Sequence, residues 1–197
     1  MGHTKADHPL AARIMHFTHL ACMILLAISG FYIAKPTFGG SMHLWRNVHF
    51  WAMWIVTLNL VARFYWSIFG ATRDIRDFFP SKKNRGKLFQ LIPYYLFLRK
   101  THPDTAKYNT LQKSTYNMWF FILIAQAITG FALYYHQVPF FQNLNNMVGG
   151  INGMHTVHNL IMWFFILTTM IHVYLSVFED WKAVLMMFFG IESKGAH

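Results

Sequence analysis

The sequence predicts an all-α membrane protein, a four-transmembrane-helix bundle, from its composition, its apolar runs and the placement of its basic residues. Of the 197 residues, 55% are hydrophobic and 12% are charged, whereas a soluble domain carries about 25% charged residues. The formal net charge of +10 does not indicate nucleic acid as a partner, because the basic residues cluster between apolar segments, as topology signals do. Membrane lipid is the expected surrounding.

Four apolar segments reach the roughly 20 residues that a helix needs to cross the hydrocarbon layer. The spans are predicted at about 14–34, 48–69, 115–135 and 156–178, within a single integral-membrane domain covering 1–197. The first span is predicted to be a retained helix, because its long apolar run ends without a small-x-small cleavage site. Trp and Tyr residues cluster at the span ends, as in interfacial belts.

The distribution of Lys and Arg predicts the orientation of the spans. The loop at 71–114 holds ten of the seventeen basic residues, whereas the loop at 136–155 holds none. By the positive-inside rule, the 71–114 loop and both termini are predicted to be cytoplasmic. Within this loop, 86–100 is expected to lie on the membrane surface as an amphipathic segment, with an ordinary loop as the alternative.

Two histidines in the fourth span, His158 and His172, are fourteen residues apart. Fourteen residues advance an α-helix by about 21 Å and leave it about 40° short of four whole turns. Both imidazoles are therefore predicted on nearly the same face, one near each side of the membrane. Ionisable side chains inside a membrane are costly, which favours a functional role.

The predicted orientation places four histidines at two depths in the membrane. His49 and His158 begin the second and fourth spans on the outer side, whereas His16 begins the first span on the cytoplasmic side, near the depth of His172. Two axial histidines at each of two levels is what two six-coordinate haems need. Because no C-x-x-C-H motif occurs, coordination and packing would have to hold these haems.

Other interpretations of these histidines stay open. Hydrogen bonding between helices is the structural alternative, and a proton relay is disfavoured because every Asp and Glu lies outside the spans. His155 is the weaker candidate beside His158, because it is about 100° away from the face of His172. His19 lies one turn deeper than His16, and depth alone does not exclude it.

A faint internal repeat links the first and third spans. Ile28-Ser29-Gly30-Phe31 resembles Ile128-Thr129-Gly130-Phe131, which places a glycine late in each span. A glycine at such a position allows helices to pack closely or a flat ligand to approach the backbone.

Six short motifs follow one another along the chain. They are Arg13-Ile-Met-His16-Phe with Ser29-Gly30 after it, Arg46-Asn-Val-His49-Phe, 62–70, 129–134, 155–163 and His172-Val173-Tyr174. In type and order, these motifs resemble those of the b-type cytochrome subunit of membrane-bound nickel–iron hydrogenases, a group related to the gamma subunits of formate dehydrogenase.

The resemblance implies that His16 and His172 hold an inner haem b and that His49 and His158 hold an outer one. It also implies a catalytic partner on the outer side, with a nickel–iron large subunit and an iron–sulfur small subunit. The chain is then expected to pass electrons from hydrogen oxidation to quinone in a bacterial or archaeal plasma membrane. It would be an electron-transfer subunit of an oxidoreductase complex and not a stand-alone enzyme.

One segment departs from the hydrogenase pattern. The string from Lys107 to Lys113 resembles the K-Y-N-x-x-Q-K of formate dehydrogenase gamma subunits, which implies that Asn109, and less directly Gln112, lie at a quinone site. A helix N-cap before the third span is the alternative role for Asn109. The gamma subunit of a formate dehydrogenase or related molybdenum enzyme stays open as a function. So does a haem-free membrane anchor or transporter.

Overall fold

The computed structural model describes residues 9–70, 110–179 and 181–191, without the side chains of 110–117 and 179. Within these ranges the regular structure is entirely α-helical. The helices are α1 (Leu10–Ala34), α2 (Met42–Phe69), α3 (Thr110–Tyr134), α4 (Pro139–Met147), α5 (Gly150–Glu179) and α6 (Trp181–Phe189). The surface segment predicted at 86–100 lies outside the described residues.

Three of these helices, α1, α2 and α5, are long and apolar enough to cross a membrane. The part of α3 from Met118 forms, together with α4, a pair bent by 116° that brings the number of candidate spans to as many as four. The prediction of an all-α protein with several candidate membrane-spanning helices is therefore confirmed for the part of the chain that the structure describes. The four-helix bundle, the single domain and the cytoplasmic side of the termini stay predictions.

The helix starts differ from the predicted span starts. Each of the four long helices begins four to six residues before its predicted apolar segment. A helix continues past the hydrocarbon layer until the backbone stops it. For α1 that point is Pro9, and for α5 it is the pair Gly149 and Gly150, whose φ angles of 93° and 83° suit residues without a Cβ.

The short helix α4 follows the carboxyl end of α3 and was not predicted from the sequence, because its nine residues are too few to cross a membrane. It begins with Pro139 in its first turn, where a missing N–H costs nothing. The amide of Asn145 is buried and donates from Nδ2 to the carbonyl of Ala132 at 3.0 Å. This bond ties α4 to the last turn of α3.

The second unpredicted helix, α6, is held at its carboxyl end by an arginine from α1. Arg13 donates from Nε to the carbonyl of Met187 at 2.8 Å and from Nη2 to that of Phe188 at 3.2 Å. Gly190 then ends the helix with a φ of 69°. A cation at this position satisfies the last carbonyls and complements the helix dipole, so the start of α1 and the end of α6 lie together.

Contacts divide the chain into two units. One comprises Met1–Trp66 with Gln126–His197, and the other comprises Ser67–Ala125. In the first unit, aromatic pairs join the helices: Phe31 of α1 lies 5.4 Å from Trp163 of α5, and Phe50 of α2 stacks on Tyr134 of α3 at 4.1 Å between ring centroids. In the second unit the described core includes the buried Ser67.

Large apolar side chains on the outward faces of the helices are widely exposed. Trp51 of α2 is 65% exposed and Leu160 of α5 is 63% exposed. Such surfaces would be costly in water, but in lipid they carry no penalty, because acyl chains are as apolar as the side chains. The exposure therefore fits helices whose outer faces contact membrane lipid.

Candidate functional site

His49 on α2 is held by a hydroxyl group on α1. Ser29 Oγ lies 2.6 Å from the carbonyl of Leu25 and 2.9 Å from His49 Nδ1. A hydroxyl has one proton to donate, and Ser29 gives it to the carbonyl four residues earlier. Ser29 therefore accepts the Nδ1–H of His49, which leaves the lone pair of the neutral imidazole on Nε2, ready for a metal ion.

The same arrangement recurs between α3 and α5. Thr129 Oγ1 donates to the carbonyl of Gln126 at 3.0 Å and lies 2.8 Å from His158 Nδ1. Because the single hydroxyl proton of Thr129 is already donated to this carbonyl, Thr129 accepts the Nδ1–H of His158. Both Ser29 and Thr129 are buried, so neither bond competes with bulk water. Both imidazoles are thus fixed in the tautomer that has Nε2 unprotonated.

A glycine follows each hydroxyl residue and lets the histidine approach the helix backbone. A Cβ atom on Gly30 would lie 3.6 Å from His49 Cε1, and one on Gly130 would lie 3.3 Å from His158 Cε1. Contacts of 3.3 Å are tighter than ordinary carbon–carbon packing. Glycine is therefore needed more strictly beside His158 than beside His49.

Two methionines connect the two helix pairs crosswise. Met53 follows His49 by four residues on α2, yet its Sδ lies 3.3 Å from the Cβ position of Gly130 on α3. Met162 follows His158 by four residues on α5, and its Sδ lies 3.7 Å from the Cβ position of Gly30 on α1. The pairs α1–α2 and α3–α5 therefore carry the same set of groups, arranged with approximate two-fold symmetry.

The two imidazoles face one another across this arrangement. The ring centroids of His49 and His158 are 6.4 Å apart, with an angle of 65° between the ring planes. When two imidazoles bind one metal ion from opposite sides, the distance between their ring centroids is the sum of two metal–nitrogen bonds of about 2 Å and two ring radii of about 1.1 Å, or about 6 Å. Since both Nε2 atoms carry lone pairs, the residues fit a single iron with two axial histidines, as in a six-coordinate haem.

The side-chain amide of Gln126, on α3, also lies close to His158. Gln126 Nε2 lies 3.2 Å from His158 Nε2. Its Oε1 is buried and has no hydrogen-bond partner among the described residues. The sequence analysis did not single out this glutamine, nor Met53, because neither residue type is diagnostic of a cofactor site without its neighbours.

The other predicted ligands lie on the expected helices. His172 is half-buried on α5, which runs unbroken through His158, and His16 is exposed near the start of α1. His19 is half-buried, one turn along from His16. The pairing of His16 with His172 stays a prediction.

His155, the rival to His158, is exposed on α5. His158, by contrast, is half-buried and has its imidazole within hydrogen-bond reach of the side chains of Thr129 and Gln126. The structure therefore brings His158, and not His155, to the position facing His49. The role of His158 as a haem ligand stays a prediction.

The side chains of the two predicted quinone-binding residues lie outside the described part of the structure. Asn109 lies outside the described residues. Gln112 is in the first turn of α3, but its side chain is also outside the described set. Their role, and the N-cap alternative for Asn109, stay predictions.

Comparison with known proteins gives a consistent result along almost the whole chain. Residues 7–190 match the family model described as prokaryotic cytochrome b561. Similar proteins include the probable Ni/Fe-hydrogenase 1 B-type cytochrome subunit of Escherichia coli, 30% identical over 85% of this chain and 80% of the relative. The probable Ni/Fe-hydrogenase B-type cytochrome subunit of Azotobacter vinelandii is 28% identical over 85% of this chain and 78% of its own length.

A third relative, the probable Ni/Fe-hydrogenase B-type cytochrome subunit of Cupriavidus necator, is 26% identical over 85% of this chain and 77% of its own length. The family name denotes a b-type cytochrome, and a haem of that type held by two histidines needs two facing imidazoles, the arrangement in which His49 and His158 lie. The apolar helices α1, α2 and α5 supply the membrane-spanning frame. The chain thus belongs to the prokaryotic cytochrome b561 family of membrane proteins.

Proposed function

We propose that this chain is the membrane-anchoring cytochrome b subunit of a respiratory nickel–iron hydrogenase and conducts electrons through two haems b to membrane quinone. The observation that carries the proposal is the pair of facing imidazoles, His49 and His158, with centroids 6.4 Å apart. The names of the relatives, each a Ni/Fe-hydrogenase B-type cytochrome subunit, support the choice of partner.

In this proposal His49 and His158 are the axial ligands of the outer haem. Ser29 and Thr129 act on it indirectly, because each accepts the Nδ1–H of one ligand and so orients the ring and raises its basicity. Gly30 and Gly130 let the two rings come close to the neighbouring backbone. The apolar helices keep water away, which lowers the local dielectric around the iron.

The inner haem is proposed to be held by His16 and His172. The unbroken helix α5 carries both His158 and His172, and their separation of fourteen residues corresponds to about 21 Å along the helix axis. One helix can therefore supply a ligand to each of two haems at opposite sides of the membrane. The location of His16 near the amino end of α1 fits the same inner level.

A bound haem b supplies a one-electron iron couple, while the protein sets its position, its ligands and its surroundings. The chain would receive electrons from an iron–sulfur small subunit on the outer side, where a nickel–iron large subunit oxidises hydrogen. Each hydrogen molecule yields two electrons and two protons, and each quinone takes up two electrons and two protons to form the quinol. Asn109 and Gln112 are proposed to bind quinone near the inner haem.

A second candidate function is the gamma subunit of a formate dehydrogenase or a related molybdenum enzyme. The observation that favours it is the string from Lys107 to Lys113, which resembles that group and not the hydrogenase cytochromes. The haems and the quinone would be the same in both cases. Only the enzyme that supplies the electrons would differ.

The partner is tested by reduced-minus-oxidised spectra of membranes that contain the chain with its native partners. We expect a b-type absorption band under hydrogen and none under formate. A band that appears under formate alone would replace the hydrogenase with a formate dehydrogenase. The absence of any haem band after expression with ample haem would favour a haem-free anchor or transporter and refute both redox functions.

The ligand assignment is tested by a matched pair of substitutions on α5. We expect His158→Ala to remove the outer haem, halve the haem content and stop hydrogen-dependent quinone reduction. His155→Ala, on the exposed side of the same helix, is expected to retain both haems. Haem content is measured as the pyridine complex after purification, and equal losses in the two variants would contradict the assignment of His158.

A further inference from the structure

The short helix α6 joins the two helices that carry the proposed ligands of the inner haem. It begins one residue after the end of α5, the helix of His172. Its carboxyl end lies against the start of α1, the helix of His16, where Arg13 donates to its last carbonyls at 2.8 and 3.2 Å. One short helix therefore connects α5 with α1 at the end of both helices where the inner ligands are expected.

Arg13 is unfavourably placed for its own helix and favourably placed for α6. It ends the first turn of α1, where the positive end of the helix dipole disfavours a cation. The same turn holds no acidic residue, and the N-cap is Pro9, whose side chain has no atom that accepts a hydrogen bond. The start of α1 therefore lacks the usual capping groups, and its contact with α6 restrains it instead.

An aromatic contact extends this restraint to the turn of α1 that contains His16. The ring of Phe188 on α6 lies 4.8 Å from that of Phe17 on α1, with 65° between the ring planes. The ring of Phe17 lies 5.3 Å from the imidazole of His16, at 90°. The position of α6 therefore determines where the ring of Phe17 lies, and Phe17 restricts the rotation of the neighbouring imidazole.

A separate bond fixes the same part of α1 to α2. Asn59 of α2 is half-buried and donates from Nδ2 to the carbonyl of Met15 at 2.9 Å. Because Met15 directly precedes His16, this bond holds the backbone of α1 at the level of the histidine without any help from α6. Loss of the α6 contacts is therefore expected to change the orientation of the His16 ring and not to unfold α1.

We infer that α6 is part of the inner haem site, with Arg13 and Phe188 as positioning residues that orient His16 as an axial ligand. The inference rests on the proposed function, in which His16 and His172 bind one iron. Since α6 follows α5 and docks on α1, it couples the positions of the two ligand-bearing helices. Arg13 bonds to backbone carbonyls and Phe188 packs on a phenyl ring, so these contacts use no nitrogen of His16 and are compatible with iron bound there.

The experiment uses the full chain in complex with its native partner subunits and compares Phe188→Ala with Phe189→Ala. Phe189 is the matched control, because it is 70% exposed and its ring pairs with no ring of α1 in the described structure. We expect Phe188→Ala to broaden the low-spin electron paramagnetic resonance signal of the inner haem. Its loss to a haem-scavenging protein should be about tenfold faster, at the lower end of the range for groups that support a metal ligand. The outer haem, and both haems of Phe189→Ala, should behave as in the wild type.

Substitutions of Arg13 distinguish docking of α6 from a direct contact of the guanidinium with the haem. Arg13→Gln should change the inner-haem signal in the same way as Phe188→Ala, whereas Arg13→Lys keeps a cation at the end of α6 and should restore part of the wild-type signal. A change in Arg13→Gln without one in Phe188→Ala would overturn the inference, because Arg13 would then act on the haem directly.

Two other results would also overturn it: equal signals in Phe188→Ala and Phe189→Ala, or loss of both haems from Phe188→Ala and Arg13→Gln. The signal of the inner haem is identified by its absence in His16→Ala. A His16→Ala complex that retains this haem would instead refute the ligand assignment of the proposed function, and the inference would fall with it.

Discussion

Removal of the Thr129 hydroxyl provides the sharpest test of how the outer site is organised. Thr129→Val keeps the shape of the side chain but leaves the Nδ1–H of His158 without its acceptor at 2.8 Å. A buried donor without a partner costs about 1–3 kcal/mol. The haem-free imidazole can avoid this cost by carrying its proton on Nε2, whereas an imidazole that binds iron through Nε2 cannot, so the cost falls on haem binding. Each 1.4 kcal/mol corresponds to about a tenfold change in affinity. We therefore expect haem to bind about 10- to 100-fold more weakly at the outer site, as for other residues that orient a metal ligand.

The substitution should also change the electronic state of the haem that remains bound. Loss of the hydrogen bond lowers the basicity of the imidazole, which destabilises ferric iron relative to ferrous iron. The midpoint potential of the outer haem is therefore expected to rise. Free rotation of the imidazole ring should broaden the low-spin electron paramagnetic resonance signal, because its position depends on the angle between the two axial rings.

The assay measures the rate of haem loss from the purified complex to a haem-scavenging protein, together with the resonance spectrum. Thr57→Val is the matched control, because the Thr57 hydroxyl donates to the carbonyl of Met53 in its own helix at 2.7 Å and bonds to no histidine within the described ranges. Thr129→Ser retains the hydroxyl and should behave like the wild type. Equal haem loss and identical spectra in Thr129→Val and Thr57→Val would refute the proposed role of the hydroxyl.

Three further outcomes follow from the same geometry. Gly130→Ala should weaken outer-haem binding more than Gly30→Ala, because the added Cβ would lie 3.3 Å from the histidine carbon in the first case and 3.6 Å in the second; equal losses of haem would indicate that both glycines make room for the porphyrin itself. His16→Ala should remove the inner haem while His19→Ala retains it, and the reverse result in a haem determination would transfer the ligand role to His19. Asn109→Ala should keep both haems and slow hydrogen-dependent quinone reduction, whereas an unchanged rate would leave Asn109 as a helix cap.

The membrane helices could be predicted because their signal is long and redundant. Runs of about 20 apolar residues have few structural alternatives, so α1, α2 and α5 were expected. The short helices α4 and α6 carry no such signal, because nine residues suit a turn, a core helix or a surface helix equally well. Their formation depends on contacts from distant parts of the chain, such as that of Arg13 with the end of α6.

The proximity of His49 and His158 could be predicted because depth along a helix is almost a linear function of residue number. That rule alone predicts one level for both residues, and their rings face one another; their role as ligands of an outer haem stays a prediction. The same rule does not determine which way a side chain points. It therefore ranked His158 above His155 only through the helical phase, and it did not separate His16 from His19.

The role of the Ser29 and Thr129 hydroxyl groups could not be predicted, because it depends on a histidine from a second helix. Ser29 and Thr129 each satisfy their own proton within the helix, as serine and threonine commonly do in apolar helices. Their remaining lone pairs gain a function only when another helix presents an Nδ1–H at that point. The internal repeat around Gly30 and Gly130 was visible in the sequence, but only the structure relates it to the histidines.

The combination of a hydroxyl residue and a glycine solves a problem that is specific to the membrane. An axial histidine has one ring N–H left over, and in hydrocarbon no water can accept it. Ser29 and Thr129 accept it without breaking any helix bond, and the glycine that follows each of them lets the imidazole come near enough. We therefore propose a hydroxyl–glycine pair late in one span, facing a histidine in the next, as a sequence signal for a ligating histidine that does not depend on depth. In this chain the pattern selects the proposed ligands His49 and His158 and no other histidine among the described residues.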